Sequence, residues 1–137
     1  MTYEPRMSYK ALLHANFGPT GSLLVMGSIP NDANKFHVNL VDTKTKNIHL
    51  HVNPRFPEGE IVRNTLTDGS WGPEEKETPT MPLQPGQNFT MSIRNEGSSF
   101  EVYINGTKVF DYTHRLSFGD VDMVEVGGDV AVTCIQF

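Results

Sequence analysis

The chain has 137 residues, a formal net charge of −5 and an apolar fraction of 37%, which suits one folded domain with its own core. This composition is too apolar for a disordered protein, and the acidic balance excludes a basic surface that would hold nucleic acid by its phosphates. No apolar run approaches the roughly 20 residues that a membrane-spanning helix needs, so we expect no insertion into a membrane.

The ends of the chain add a few expectations. We expect residues 1–137 to form a single domain whose first residues, 1–8, are a flexible segment. The opening residues lack the basic region and apolar core of a classical signal peptide, so we expect cytoplasmic synthesis. Cys134 is the only cysteine, so no internal disulfide can stabilise the fold.

Short alternating segments separated by turn residues follow one another along the chain. The alternation of apolar and polar side chains predicts strands in residues 36–40, 48–53, 89–93, 100–104, 124–126 and 130–137. Asn105-Gly106 lies between two strand-like runs and is the strongest hairpin signal. Segments of this length and spacing predict an all-β fold, a two-sheet antiparallel sandwich.

Three polar residues in the middle of the chain form the first functional signal. His51, Asn53 and Arg55 recur at spacing two, which places them on one face of a strand, about 7 Å apart. Imidazole, carboxamide and guanidinium groups together offer donors and acceptors for a ligand with many hydroxyl groups. The ordinary alternative is a solvated outer face. Pro54 argues against that alternative, because strands admit proline only at edges, ends or bulges.

Trp71 is the only tryptophan, and it lies among turn-forming residues rather than apolar ones. An exposed aromatic ring can stack on the C–H face of a sugar, although a tryptophan that caps one end of the core is the alternative. Val62 and Asn64 precede it with spacing two, so they share a face of the preceding strand.

Glu74 and Lys76 follow the tryptophan and also share a face. A carboxylate near Arg55 would form a charge-assisted hydrogen bond that holds both side chains ready for hydroxyl groups. The alternative is a solvated run of charges over residues 74–77.

Other functions find weaker support. His49 and His51, with His37 from a neighbouring strand, could ligate a metal ion, but the absence of a cysteine or clear carboxylate ligand makes this signal weak. A glycosidase would need two carboxylates across the scissile bond, and the glutamates of this region stand among turns and charges. Cys134 lies in the apolar final strand, which does not indicate a nucleophile.

With these residues identified, the chain resembles the galectins, the β-galactoside-binding animal lectins. Three motifs carry the resemblance in matching order and spacing, at residues 51–56 (HVNPRF), 61–64 (IVRN) and 71–76 (WGPEEK). The similarity extends to residues 36–40, 82–86 and 100–106, so it covers nearly the whole domain.

The resemblance implies a jelly-roll, concanavalin-like sandwich that binds its sugar on the concave face of one sheet. In that family the residues that match His51, Asn53 and Arg55 contact the galactose 4-hydroxyl. The residue that matches Trp71 stacks on the sugar ring.

The same resemblance implies that Asn64 and Glu74 contact the 6-hydroxyl or the neighbouring sugar. Lys76 is a departure, because the family usually has arginine there. Lysine keeps the charge and loses the planar fork, so we expect galactose recognition to survive and affinity for the second sugar to change. Lys35 and His37 are expected to line an extension of the groove for longer glycans.

The implied function is a lectin, not an enzyme, that binds β-galactosides such as lactose and N-acetyllactosamine without a metal or other cofactor. Its expected partners are glycans and glycoproteins, which it would cross-link as a homodimer after export without a signal peptide. The short connection over residues 57–60 resembles that of galectins that are halves of two-domain proteins. The alternative is an interaction protein on a galectin scaffold with weakened or altered sugar specificity, which only Lys76 supports.

Overall fold

The computed structural model describes residues 8–13, 17–18, 20–117 and 120–137. The segment expected to be flexible, residues 1–8, lies outside the described residues except for its last position. In chain order the strands are β1 (Tyr9–Leu12), β2 (Ser22–Ser28), β3 (Phe36–Val41), β4 (Ile48–Arg55), β5 (Glu60–Thr67), β6 (Ser70–Trp71), β7 (Asn88–Asn95), β8 (Ser99–Ile104), β9 (Thr107–Thr113), β10 (Met123–Gly128) and β11 (Ala131–Gln136). Within these described ranges, no helix is long and apolar enough to cross a membrane.

The strands form two antiparallel sheets. One sheet has six strands in the order β1-β10-β3-β4-β5-β6, and the other has five in the order β11-β2-β7-β8-β9. This confirms the predicted all-β, two-sheet antiparallel sandwich. Because β3 to β6 are successive in the chain and adjacent in one sheet, the polar stretch that the sequence singles out stays together on that sheet.

The core lies between the sheets and is built from the apolar residues of the alternating strands. In β3 the side chains of Phe36, Val38 and Leu40 are fully buried, and in β4 those of Leu50 and Val52 are as well. Burial of one such side chain stabilises the fold by about 1.5–3 kcal/mol relative to leaving it exposed. The polar residues that alternate with them therefore point to the outer face of the six-stranded sheet.

β8 and β9 form the predicted hairpin. Ile104 pairs with Thr107 across the two-residue turn of Asn105 and Gly106. Both turn residues have positive φ angles, 51° and 86°, as a type I′ turn requires. The hairpin prediction is confirmed.

The strict alternation predicted for β4 is wrong at its start. The register of β4 against β3 shifts between Leu40 and Val41, and His49 is the extra residue of β4 opposite that step. Such a bulge breaks the two-residue period locally, so residues before it no longer alternate in phase with those after it. His49 is buried and out of phase with His51, so the two histidines do not share the outer face as the sequence suggested.

Candidate functional site

An open groove of about 530 Å³ lies on the outer face of the six-stranded sheet. Its volume falls in the range of small-molecule sites. The groove is lined by all but one of the predicted sugar-binding residues, together with Phe36, Gly72 and Gly128; those predicted residues are Lys35, His37, His51, Asn53, Arg55, Val62, Asn64, Trp71 and Glu74. The remaining predicted residue, Lys76, does not line it.

Asn53 is the centre of the three polar residues on β4. Its Nδ2 donates to the carbonyl oxygen of Phe36 at 2.7 Å, and its Oδ1 accepts from Arg55 Nε at 2.8 Å. Asn53 is only 6% exposed, and a buried carboxamide costs free energy unless it is hydrogen bonded. These two bonds therefore fix the amide and hold the guanidinium of Arg55 beside it.

The Arg55 side chain is held at a second point by Glu74. Its Nη2 lies 3.3 Å from Glu74 Oε2 at the rim of the groove, where both side chains are partly exposed. An ion pair this exposed contributes about 0–1 kcal/mol to stability. The ion pair matters for geometry, because Asn53 and Glu74 together fix the direction of the guanidinium. Its other N–H groups are available to a ligand.

Trp71 forms one wall of the groove. It pairs with Leu66 through the short strand β6 and is 49% exposed, so it is not the core-capping residue that the sequence left open. Its ring centroid lies 4.7 Å from that of His51, with the planes tilted by 49°. A half-exposed indole beside hydrogen-bonding groups suits a ligand with one apolar and one polar side.

The side chain of Asn64 is buried, and hydrogen bonds fix the orientation of its carboxamide group. Its Nδ2 donates to the carbonyl oxygen of Gly72 at 2.8 Å, and its Oδ1 accepts from the backbone N–H of Thr65 at 2.8 Å and from Arg115 Nη1 at 3.0 Å. Asn64 thus connects β5 to the segment that carries the tryptophan.

Arg115 is a site residue that the sequence analysis missed. Its Nη2 donates to the carbonyl oxygen of Pro73 and to Glu75 Oε2, each at 2.8 Å, and its guanidinium lies 5.0 Å from the centre of the Tyr112 ring. It therefore fixes the segment between Trp71 and Glu75. No local pattern could have indicated it, because it lies 51 residues beyond Asn64.

His51 presents a neutral ring to the groove. Its Nδ1 lies 2.6 Å from Asn39 Oδ1, an oxygen that can only accept, so Nδ1 carries the hydrogen and Nε2 keeps its lone pair. Burial is the main cause that lowers the pKa of His51 to about 4, and the nearby His37 and Arg55 act in the same direction, against a hydrogen bond with Asn53 that raises it. At neutral pH the ring therefore offers one acceptor nitrogen beyond the bond to Asn39.

Lys35 and His37 lie on the β3 side of the groove, away from Trp71. The His37 ring centroid is 5.9 Å from that of His51, and burial lowers the pKa of His37 below its usual range. Across the part of the chain that the structure describes, no group of three or more His, Cys, Asp or Glu side chains is arranged to hold a metal ion.

Lys76 is exposed and lies in a separate shallow depression with Arg63, Glu74, Glu75 and Glu77. The structure therefore brings Lys76 close to Glu74 and leaves it outside the main groove. Its effect on the second sugar stays a prediction.

Residues 8–137 match the model of the galactoside-binding lectin family. The chain is 39% identical over 136 residues to human galectin-4, covering 98% of this chain and 42% of that protein. It is 39% identical over 123 residues to the 32 kDa β-galactoside-binding lectin of Caenorhabditis elegans, covering 89% of this chain and 43% of that protein.

A solved structure shows the same similarity. CG-16, a homodimeric agglutinin from chicken liver, superposes with a TM-score of 0.82 at 27% identity, covering 95% of this chain and 98% of that chain. The chain spans less than half the length of the two curated relatives, 42% and 43%. The family match nevertheless extends over nearly all of its residues. The chain therefore belongs to the galactoside-binding lectins, the galectins, a family of lectins rather than enzymes, as its sequence predicted.

Proposed function

We propose that the protein binds terminal β-galactosides such as lactose and N-acetyllactosamine in this groove, without a metal ion. One observation carries the proposal: a half-exposed indole stands beside a histidine, an asparagine and an arginine whose directions are already fixed by hydrogen bonds. Because these side chains are ordered before the ligand arrives, the entropy cost of binding is reduced.

The chemistry of the groove fits galactose in particular. The sugar's apolar face stacks on Trp71, and its axial 4-hydroxyl reaches the polar group on β4. There the hydroxyl donates to the lone pair of His51 Nε2 and accepts from an N–H group of Arg55. Glucose presents this hydroxyl equatorially and leaves the buried polar groups unpaired, at a cost of about 1–3 kcal/mol per group.

The outer parts of the groove are proposed to contact the rest of the glycan. Asn64 and Glu74 contact the 6-hydroxyl or the second sugar, and Lys76 acts from the neighbouring depression. Lys35 and His37 contact residues of a longer glycan on the β3 side. The support for these roles is their position along the groove and its rim.

The proposal includes assembly into a homodimer that cross-links glycoconjugates. A chain with one sugar site can bridge two glycans only if it associates with another copy. Support comes from the chicken liver relative, which is described as a homodimeric agglutinin. The exposed apolar side chains of Leu12, at the end of edge strand β1, and Phe137, beyond edge strand β11, offer surface for such contact.

Affinity chromatography tests the sugar specificity. The protein is passed over immobilised lactose in a buffer that contains EDTA, and we expect it to be retained, eluted by free lactose and not eluted by sucrose. Trp71→Ala should pass through, whereas Trp71→Phe should be retarded because it keeps an aromatic ring. Failure of the wild-type protein to bind would contradict the proposal and favour the alternative of a galectin-fold interaction protein.

A second measurement tests the cross-linking. Sedimentation velocity gives the oligomeric state, and turbidity follows precipitation of a polymer that carries many lactose groups. We expect a dimer that precipitates the polymer, and free lactose should dissolve the precipitate. A monomer that binds lactose and never precipitates the polymer would remove the dimer from the proposal and leave the sugar site standing.

A further inference from the structure

Three polar residues form a row across the six-stranded sheet, leading away from the proposed sugar site. Glu125 on β10 is the direct cross-strand partner of Asn39 on β3, and Asn39 is the direct partner of His51 on β4. Directly opposite residues of antiparallel strands have Cβ atoms about 4.5–5.5 Å apart, so their side chains can bond along the row.

The row is continuously hydrogen bonded. Asn39 Nδ2 lies 3.1 Å from Glu125 Oε1, and Asn39 Oδ1 lies 2.6 Å from His51 Nδ1. Of this row only His51 lines the groove, whereas Asn39 and Glu125 are absent from its lining. The side chain of Asn39 thus stands between Glu125 and His51, the residue of the row that would touch a sugar.

The carboxylate fixes the direction of every bond in this row. An ionised carboxylate can only accept, so Asn39 must turn its NH₂ group toward Glu125 and its oxygen toward His51. That oxygen can also only accept, so His51 Nδ1 carries the hydrogen and Nε2 is left as an acceptor. Without Glu125, nothing in this row would prevent the amide of Asn39 from turning over. Its NH₂ group would then face Nδ1 and favour the opposite tautomer, in which Nε2 is a donor.

We propose that Glu125 is a positioning residue that sets the tautomer of His51 through Asn39 and so makes Nε2 an acceptor in the groove. The consequence for lactose rests on the proposed function, whereas the effect on the tautomer does not. Lys10 lies 3.7 Å from Glu125 at the outer side of the row and is largely exposed, so it adds a weak ion pair.

Two substitutions test the proposal, each with a matched control. Glu125→Ala removes the acceptor, and Glu125→Lys replaces it with a donor, which would attract the oxygen of Asn39. The controls are Glu101→Ala and Glu101→Lys on β8 of the other sheet. The side chain of Glu101 is 22% exposed, compared with 24% for Glu125, and it too lies near a lysine, at 3.6 Å.

The measurements are ring ¹⁵N NMR of His51 in the sugar-free protein and lactose affinity by calorimetry. We expect the wild-type protein to have the hydrogen on Nδ1, Glu125→Ala to give a mixture of tautomers, and Glu125→Lys to shift the hydrogen to Nε2. Lactose affinity should fall about three- to tenfold in Glu125→Ala, as for loss of one well-placed hydrogen bond, and further in Glu125→Lys. Both controls should behave like the wild-type protein, with backbone spectra confirming that all variants are folded.

The outcomes separate the two proposals. If Glu125→Lys keeps the hydrogen on Nδ1, or if the matched Glu101 variants change the tautomer equally, the assignment of Glu125 is wrong. If the wild-type protein fails to bind lactose, the proposed function fails, and the ring spectra still decide the role of Glu125.

Discussion

The two sheets use the same alternation of apolar and polar residues, yet their outer faces differ. On the six-stranded sheet, Asn39, Asn53 and Asn64 are buried, and each has hydrogen bonds to other protein groups. On the five-stranded sheet, Arg94 is exposed and Tyr103 is half-buried, as is usual for a solvated face. Polar side chains that are buried and already bonded form a prearranged surface, whereas solvated ones must be ordered by whatever binds them.

Arg55→Ala should show the largest difference between the two faces. The substitution removes the donor and leaves Asn53 Oδ1 and Glu74 without their partner, so lactose affinity should fall about 100-fold, or roughly 2.7 kcal/mol. The matched control is Arg94→Ala, which removes an exposed arginine from β7, where it lies 5.9 Å from the ring of Tyr103. Calorimetric titration should give wild-type affinity for the control, and equal losses in both variants would contradict the comparison.

Arg115→Ala should have a smaller effect, because this residue acts on the site through others. Its loss frees Asn64 and the segment at Pro73 and Glu75, so we expect lactose affinity to fall about tenfold and the free energy of unfolding by about 1–3 kcal/mol. Affinity by calorimetry and stability by urea denaturation are the two readouts. Arg115→Lys keeps the charge and loses the fork, and it should recover stability only in part. Unchanged affinity in Arg115→Ala would exclude a role in shaping the groove.

The effect of pH on lactose binding near neutrality should be smaller than the effects of the two arginine substitutions. Since the pKa of His51 is lowered to about 4, the ring stays neutral and Nε2 remains an acceptor from pH 8 to about pH 6. Lactose binding should therefore be constant over that range and be lost as the pH falls through about 4, when the imidazolium turns the acceptor into a donor. A binding midpoint near pH 6.5 would contradict the prediction.

The lowered pKa of His51 also determines how the free energy of unfolding changes with pH. The folded state has the lower pKa, so the unfolded chain binds more protons between the two values and stability rises with pH there. His51 therefore lowers stability progressively as the pH falls below about 6.5, and its contribution is complete below about 4. His51→Gln, which keeps an acceptor and does not titrate, is the control that separates this histidine from the carboxylates.

The part of the groove on β4 could be predicted because a strand's two-residue period acts on neighbouring residues. His51, Asn53 and Arg55 share a face by spacing alone, and the structure places them together as that period requires. The same period failed at His49, because a bulge inserts a residue without any turn signal in the sequence.

The contacts that arrive from distant strands could not be predicted from the sequence. Arg115 follows β9 and bonds to Asn64, whereas Glu125 lies on β10, which pairs with β3. Their positions near the site depend on which strands become neighbours, and the local sequence pattern does not indicate this. The alternation of residues 36–40 predicts that Asn39 lies on the outer face of β3. Its partner across the sheet depends on the register of β3 with β4 and β10.

Gly72 has no room for a side chain, which limits where this binding surface can be re-engineered. A Cβ at this position would lie 2.8 Å from Arg115 Nη1 and 3.4 Å from Asn64 Oδ1, and the arginine is held by three other groups and has little room to retreat. Random libraries that vary position 72 would therefore yield mostly damaged proteins. Lys76 lies just beyond, exposed and outside the groove, so substitutions there should leave the inner surface intact and, under the proposed function, are the place to vary glycan preference.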